Sequence, residues 1–194
     1  MGGTASVPEE DLSELLKSTH FEKEDLNRWY KKFMKDYPDG QLNREQFREM
    51  YAKIYKTSFS NHMAEHIFRC LDQNKDGFIC FKELMAGLSV TLKGTKREKL
   101  EWSFKVYDLD GNGLISLDEV CHMTTCIKGA CKKREENVGN ESVEVAVTGS
   151  EVEDMFREVD LDSNGYWSLE EFVNGMQNHP AFVSMLKTVP ASIK

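Results

Sequence analysis

The 194-residue sequence predicts an all-α protein of four helix–loop–helix units, arranged as two paired lobes with a short antiparallel bridge between the loops of each pair. Three observations predict it. A twelve-residue pattern recurs as DQNKDGFICFKE at 72–83, DLDGNGLISLDE at 108–119 and DLDSNGYWSLEE at 160–171. A degenerate copy, KDYPDGQLNREQ, stands at 35–46, so that the copies begin at residues 35, 72, 108 and 160. Apolar residues flank the copies at the 3–4 spacing of amphipathic helices.

The pattern carries metal chemistry. Calcium is a hard cation that takes six to eight oxygens, and the twelve-residue loop supplies them from places 1, 3, 5, 7, 9 and 12. Glycine at place 6 allows the sharp turn, because a residue without Cβ takes positive φ cheaply. In the second loop the side-chain donors are Asp72, Asn74, Asp76 and Glu83, with the carbonyl of Phe78. In the third they are Asp108, Asp110, Asn112 and Glu119, with the carbonyl of Leu114 and a water held by Ser116. In the fourth they are Asp160, Asp162, Asn164 and Glu171, with the carbonyl of Tyr166 and with Ser168. A lone match of this kind is often a surface turn; three in register are EF-hands.

The elements follow in order. Residues 1–20 are an N-terminal arm, and residues 21–92 the first pair. Trp29, Tyr30 and Phe33 precede the first loop, and Phe47, Met50, Tyr51 and Ile54 follow it. In that loop Lys35 at place 1 and Gln46 at place 12 remove its charge and two key oxygens, and Tyr37 and Pro38 stand at places 3 and 4. It is expected to hold no calcium and to serve as the structural partner of loop two, with Leu42 facing Ile79. An unpaired unit would leave an apolar face and a strand edge uncovered. Loop two has Cys80 at place 9, a poor partner for a hard cation, and is expected to bind more weakly than loop three.

Residues 93–178 are the second pair. Leu100, Phe104 and Tyr107 precede loop three, and Leu117 and Val120 begin its exit helix. Val152, Met155, Phe156 and Val159 precede loop four, whose Trp167 is expected to face Ile115. Between these units, residues 128–150 read as a polar, aperiodic connection, and its Lys132, Lys133 and Arg134 run as a solvated face, with contact to acidic lipid or a partner as the alternative. The tail at 179–194 carries Phe182, Val183, Met185 and Leu186 as a short apolar face, which reads either as a helix finishing the second lobe or as a tail competing with the target for the groove.

Composition narrows the function. The chain has 33 acidic against 25 basic residues, a formal charge of −8, which argues against a nucleic-acid partner. No apolar run approaches the roughly 18 residues of a membrane span. The cysteines, five in all, include no Cys-x-x-Cys spacing, so neither a zinc site nor a disulfide framework is expected, and a reduced, cytoplasmic setting is. His20, His62, His66, His122 and His179 show no catalytic or metal spacing, and there is no phosphate-cradling glycine loop; the chain does not read as an enzyme.

The start MGGTAS places Gly2 and Ser6 in an N-myristoylation pattern. Together with LNRWYKKFMKDYPDGQL, FKELMAGLSVTLKGT and KLEWSFKVYDLDGNG, it makes the chain resemble the neuronal calcium sensor family of recoverin, visinin and guanylate-cyclase-activating type. The resemblance implies three calcium sites, a first loop disabled by a Cys-Pro (here Tyr37-Pro38) and a myristoyl chain on Gly2. It also implies that calcium extrudes this chain from an N-terminal groove, supplied here by Trp29, Phe33, Phe68, Phe81, Leu84, Met85 and Leu88. The implied partners are a membrane surface and a membrane-associated enzyme or channel, with guanylate cyclase and a receptor kinase as candidates, and the implied state is a monomer or weak dimer. A calcium buffer and a constitutive subunit of a phosphatase are the competing readings. A buffer needs no lipid anchor, and the phosphatase subunit usually keeps four working loops.

Overall fold

Leu42 pairs with Ile79 and Ile115 with Trp167, each across a two-residue antiparallel bridge, so both expected registers are present. All four side chains are completely buried, pinning the two loops of each pair back to back. The computed structural model describes residues 6–55, 61–135 and 149–178.

The first lobe comprises α1 (Glu9–Ser18), α2 (Lys23–Asp36), β1 (Gln41–Leu42), α3 (Arg44–Tyr55), α4 (Asn61–Leu71), β2 (Ile79–Cys80) and α5 (Phe81–Lys93). The second comprises α6 (Lys96–Tyr107), β3 (Ile115–Ser116), α7 (Leu117–Glu135), α8 (Gly149–Val159), β4 (Tyr166–Trp167) and α9 (Leu169–Asn178). The lobes meet at Gly94-Thr95. The Gly94 amide closes α5 onto the Ser89 and Val90 carbonyls, both at 3.0 Å. Thr95 then opens α6 with a capping box, in which Thr95 Oγ1 accepts from the Glu98 amide and Glu98 Oε2 accepts from the Thr95 amide. Satisfying the free amides of a helix start in this way fixes where the new helix begins.

Two elements depart from the sequence expectation. The arm contains a helix, α1, which packs on α5 with Leu12 and Leu15 buried, and Lys82 of α5 forms ion pairs to Asp11 and Glu14. Its sequence is suited to this: Pro8 sits just before the first turn, and Glu9, Glu10 and Asp11 fill that turn, where negative charge meets the positive end of the helix dipole. Further along, α7 continues through Glu135, well into the stretch expected to be aperiodic, and α8 begins at Gly149. The rest of that stretch, like Gly2 and the 179–194 tail, lies outside the described residues.

Candidate calcium centres

Each full loop starts where a helix stops. Helices α4, α6 and α8 end at Leu71, Tyr107 and Val159, one residue before Asp72, Asp108 and Asp160. Places 4 and 6 then turn left-handed. Place 6 is glycine in every loop, with φ of 85°, 85° and 83° at Gly77, Gly113 and Gly165. Place 4 is Lys75, Gly111 or Ser163, at 60°, 76° and 56°. The resulting curl aims backbone amides inward at the carboxylates. In loop three, Asp108 Oδ1 accepts from the amides of Gly111 (2.8 Å) and Asn112 (3.0 Å), and Oδ2 from that of Gly113 (3.0 Å). Asp160 accepts from Asn164 and Gly165 in the same way, and Asp72 from Asp76 and Gly77.

The place-12 glutamate ties the two ends of the loop together. Glu119 Oε1 accepts from the Leu109 amide at 2.7 Å and Oε2 from the Ser116 amide at 2.8 Å. Glu171 does the same with Leu161 and Ser168, and Glu83 with Gln73 and Cys80. Ser116 and Ser168 add a hydroxyl donor to their glutamates at 2.8 and 2.7 Å, so the place-9 serine buttresses the glutamate directly. For Glu171, burial pushes the carboxyl up, but the hydrogen bonds from Ser168, Leu161 and Asp162 outweigh it and hold the group below its ordinary value of 4.5.

Oxygens of Asp108, Asp110 and Glu119 lie within 4.8 Å of one another, and so do oxygens of Asp160, Asp162 and Glu171. Three like charges that close repel, and a hard dication resting among them relieves the repulsion. Asn112 and Asn164 donate to the place-3 aspartates at 2.9 Å, leaving their own Oδ1 atoms to accept from the Leu114 and Tyr166 amides. Loop two exchanges these roles. Asn74 at place 3 donates to Asp76 at place 5 (2.8 Å), and Asp76 accepts from the Phe78 amide. Among the described residues, Asp72, Asp76 and Glu83 form no such three-carboxylate cluster, and Cys80 brings no hydroxyl to Glu83.

Loop one fails for a reason beyond its missing carboxylates. Helix α2 runs through Lys35 and Asp36, its first two places. Pro38 occupies place 4, where the other loops need positive φ, yet the proline ring holds φ near −65°. The Gly40 amide therefore bonds the Tyr37 carbonyl at 3.0 Å rather than a carboxylate. Gln46 keeps only the helix-capping half of the glutamate's work, in a reciprocal pair with Asn43 at 2.9 Å. The place-4 requirement escaped the sequence reading, although Pro38 set against Gly111 was the signal for it.

The expected groove residues are brought together, but as closed core. Phe33, Phe68, Phe81, Leu84 and Met85 are buried, with Trp29 and Leu88 partly buried against them. Phe33 and Tyr30 both meet Phe81 edge-on, at 5.5 and 5.0 Å.

This architecture defines a protein of paired EF-hands, and models of the EF-hand domain pair match residues 38–88 and 97–177. The chain is 36% identical over 163 residues to guanylyl cyclase-activating protein 1 of Lithobates pipiens, covering 84% of this chain and 75% of that protein. It is 41% identical over 129 residues to human recoverin (66% and 64% of the two chains) and 36% identical over 124 residues to visinin of Gallus gallus (64% and 65%). The chain belongs to the neuronal calcium sensor family, and its EF-hand pairs and acidic loops are calcium-binding modules.

Proposed function

We propose that this chain is a myristoylated cytoplasmic calcium sensor that takes calcium at loops two, three and four and regulates a membrane-associated target through its first lobe. The observation that carries the reading is the gathering of Asp108, Asp110 and Glu119, and of Asp160, Asp162 and Glu171, into compact acidic clusters braced by loop amides. Calcium supplies a dication that the oxygens at places 1, 3, 5, 7 and 12 of a loop can share. The chain's own residues do the rest. Asp72, Asn74, Asp76, Glu83 and the Phe78 carbonyl hold it in loop two. Loop three uses Asp108, Asp110, Asn112, Glu119 and the Leu114 carbonyl, and loop four Asp160, Asp162, Asn164, Glu171 and the Tyr166 carbonyl.

Each place-12 glutamate lies near the start of the exit helix, so drawing it toward the loop swings that helix. In loop two the exit helix is α5, which carries Phe81, Leu84, Met85 and Leu88. Swinging it turns buried core into a groove, as sensor EF-hands do. One myristoyl chain on Gly2 gives only marginal, reversible membrane binding, so a protein pocket can compete for it. The span matched to guanylyl cyclase-activating protein 1 supports a guanylate cyclase as client, and a receptor kinase is the other candidate that the family resemblance implies.

Liposome co-sedimentation of the myristoylated chain, with calcium and with chelator, tests the switch. Sedimentation only with calcium supports an extruding sensor, whereas equal sedimentation in both removes the extrusion step and leaves a membrane-resident regulator. Adding the chain to membranes that carry each candidate enzyme then separates the two clients.

A further inference from the structure

The two lobes are joined by more than Gly94-Thr95. Arg69 and Cys70, consecutive residues in the last turn of α4, both donate to carbonyls at the end of α6. Arg69 Nη2 reaches the Asp108 carbonyl at 2.6 Å, and Cys70 Sγ the Lys105 carbonyl at 3.2 Å. The last carbonyls of a helix have no partner within it, and a cation there also meets the negative end of the helix dipole. Lys105 shows the vacancy clearly. The Leu109 amide, which would bond it in a continuing helix, is taken by Glu119 Oε1 at 2.7 Å.

The placement of these bonds matters more than their number. Arg69 and Cys70 stand immediately before Leu71 and Asp72, the first oxygen donor of loop two, and Asp108 is the first donor of loop three. Arg69 thus holds the peptide that carries Asp108, whose carboxylate in turn organises Gly111, Asn112 and Gly113.

Resting on the calcium-sensor reading, we infer that Arg69 is a positioning residue for calcium at loop three, and that its bond to the Asp108 carbonyl makes filling of loops two and three mutually favourable. Ordering the end of α4 when loop two fills fixes Arg69, and loop three then has less to order for itself. A second ligand that binds an already stiffened element gives positive coupling without a large movement. The coupling is reciprocal by linkage.

Full-length protein and NMR test this loop by loop. The amides of Gly77, Gly113 and Gly165 each donate to the place-1 aspartate of their own loop at 2.9–3.0 Å, so each resonance reports one loop. In the wild type, Glu83→Gln disables loop two and is expected to weaken calcium binding at Gly113 about fivefold or more, the lower end of ordinary coupling. In an Arg69→Met background, binding at Gly113 is already weakened, and Glu83→Gln is expected to weaken it no further. Equal effects of Glu83→Gln in both backgrounds, or unchanged Gly113 affinity in Arg69→Met, overturn the inference. Should Arg69→Met fail to fold, the same cycle in Arg69→Lys decides: a lysine keeps the charge but not the guanidinium's reach, so coupling must fall below the wild-type value. If none of the three glycines responds to calcium, the calcium reading itself fails, an outcome distinct from loss of coupling.

Discussion

Gly87 lies so close to Leu71 that a methyl group built on its α-carbon would sit 2.1 Å from Leu71 Cδ2. Gly175 stands in the same relation to Val159, whose two γ-methyls would be 2.5 and 2.7 Å away. Each glycine occupies the same place of its unit, counted from Asp72 or Asp160, and each partner is the last residue before the loop. Units one and three carry Met50 and Met123 at that place. In units two and four the incoming and exit helices therefore touch backbone to side chain just above the metal loop.

Substituting these glycines separates a stiff contact from a yielding one. Val159 is β-branched and held at one χ1, so it cannot retreat from an alanine at 175. Overpacking costs about 1–3 kcal/mol and is partly offset by the roughly 1 kcal/mol helix preference of alanine over glycine. Gly175→Ala is expected to lose up to about 2 kcal/mol in calcium-free denaturant unfolding. Gly87→Ala is expected to lose less, because the end of Leu71 can rotate away. A Gly87→Ala variant that is the less stable of the two contradicts this account.

Restoring loop one needs its proline removed. Lys35→Asp, Tyr37→Asp and Gln46→Glu together supply the missing carboxylates, but with Pro38 retained they are expected to add no calcium site. Adding Pro38→Gly permits positive φ at place 4 and is expected to yield a further bound calcium. Isothermal titration of both variants checks it, and calcium taken up with Pro38 in place refutes the backbone argument.

Loop two should gain from a hydroxyl at place 9. Cys80→Ser gives Glu83 the donor that Ser116 and Ser168 give Glu119 and Glu171, and a hydrogen bond to a charged group contributes about 1.5–3 kcal/mol. Site-resolved titration is expected to show tighter binding at Gly77, with Gly165 unchanged.

The reverse change, Ser168→Ala, bears on acid stability. Glu171 has a lowered folded-state value, so its contribution is complete above the ordinary 4.5 and is lost as pH falls through that lowered value. Without the Ser168 hydroxyl the Glu171 titration is expected to move up toward 4.5, so that the contribution shrinks and its loss is complete at a higher pH. Carbon-detected titration of the calcium-free carboxyl reads this directly.

Helix α1 belongs to the first lobe's core. Leu15 is 2% exposed, and Leu15→Ala is expected to destabilise that lobe by about 2–5 kcal/mol, as other leucine truncations in cores do. Hydrogen exchange should show the loss in α1 and α5 before α9.

The three full loops were legible because calcium chemistry imposes oxygen donors at places 1, 3, 5, 7, 9 and 12, and the first loop and both bridge registers because every copy keeps glycine at place 6 and an apolar residue at place 8. Leu42 opposite Ile79 and Ile115 opposite Trp167 follow from that spacing alone. Helix α1 was harder to see. Its Leu12 and Leu15 make a narrow apolar stripe that acquires meaning only when α5 lies beneath it. Residues 128–135 look polar and irregular, yet α7 simply continues through them, with no proline to stop it. The φ requirement at place 4 is hidden because Lys75 and Ser163 meet it without being glycine. Arg69 belongs to no motif, and its role appears only where α4 meets the end of α6.

The burial of Trp167 has an optical consequence. Its indole is fully shielded, stacks on Phe156 at 4.7 Å and 16°, and donates Nε1–H to the Phe156 carbonyl at 2.9 Å. The chain has two other tryptophans: Trp29 lies edge-on to Phe21 in the first lobe, and Trp102 at the seam beside Gly87. The molecule thus carries one tryptophan in each lobe and a third at their junction. Replacing any two with phenylalanine leaves a label-free lamp whose colour reports the dryness of a single region, so that the sequence of events after a calcium pulse can be timed without attaching a dye.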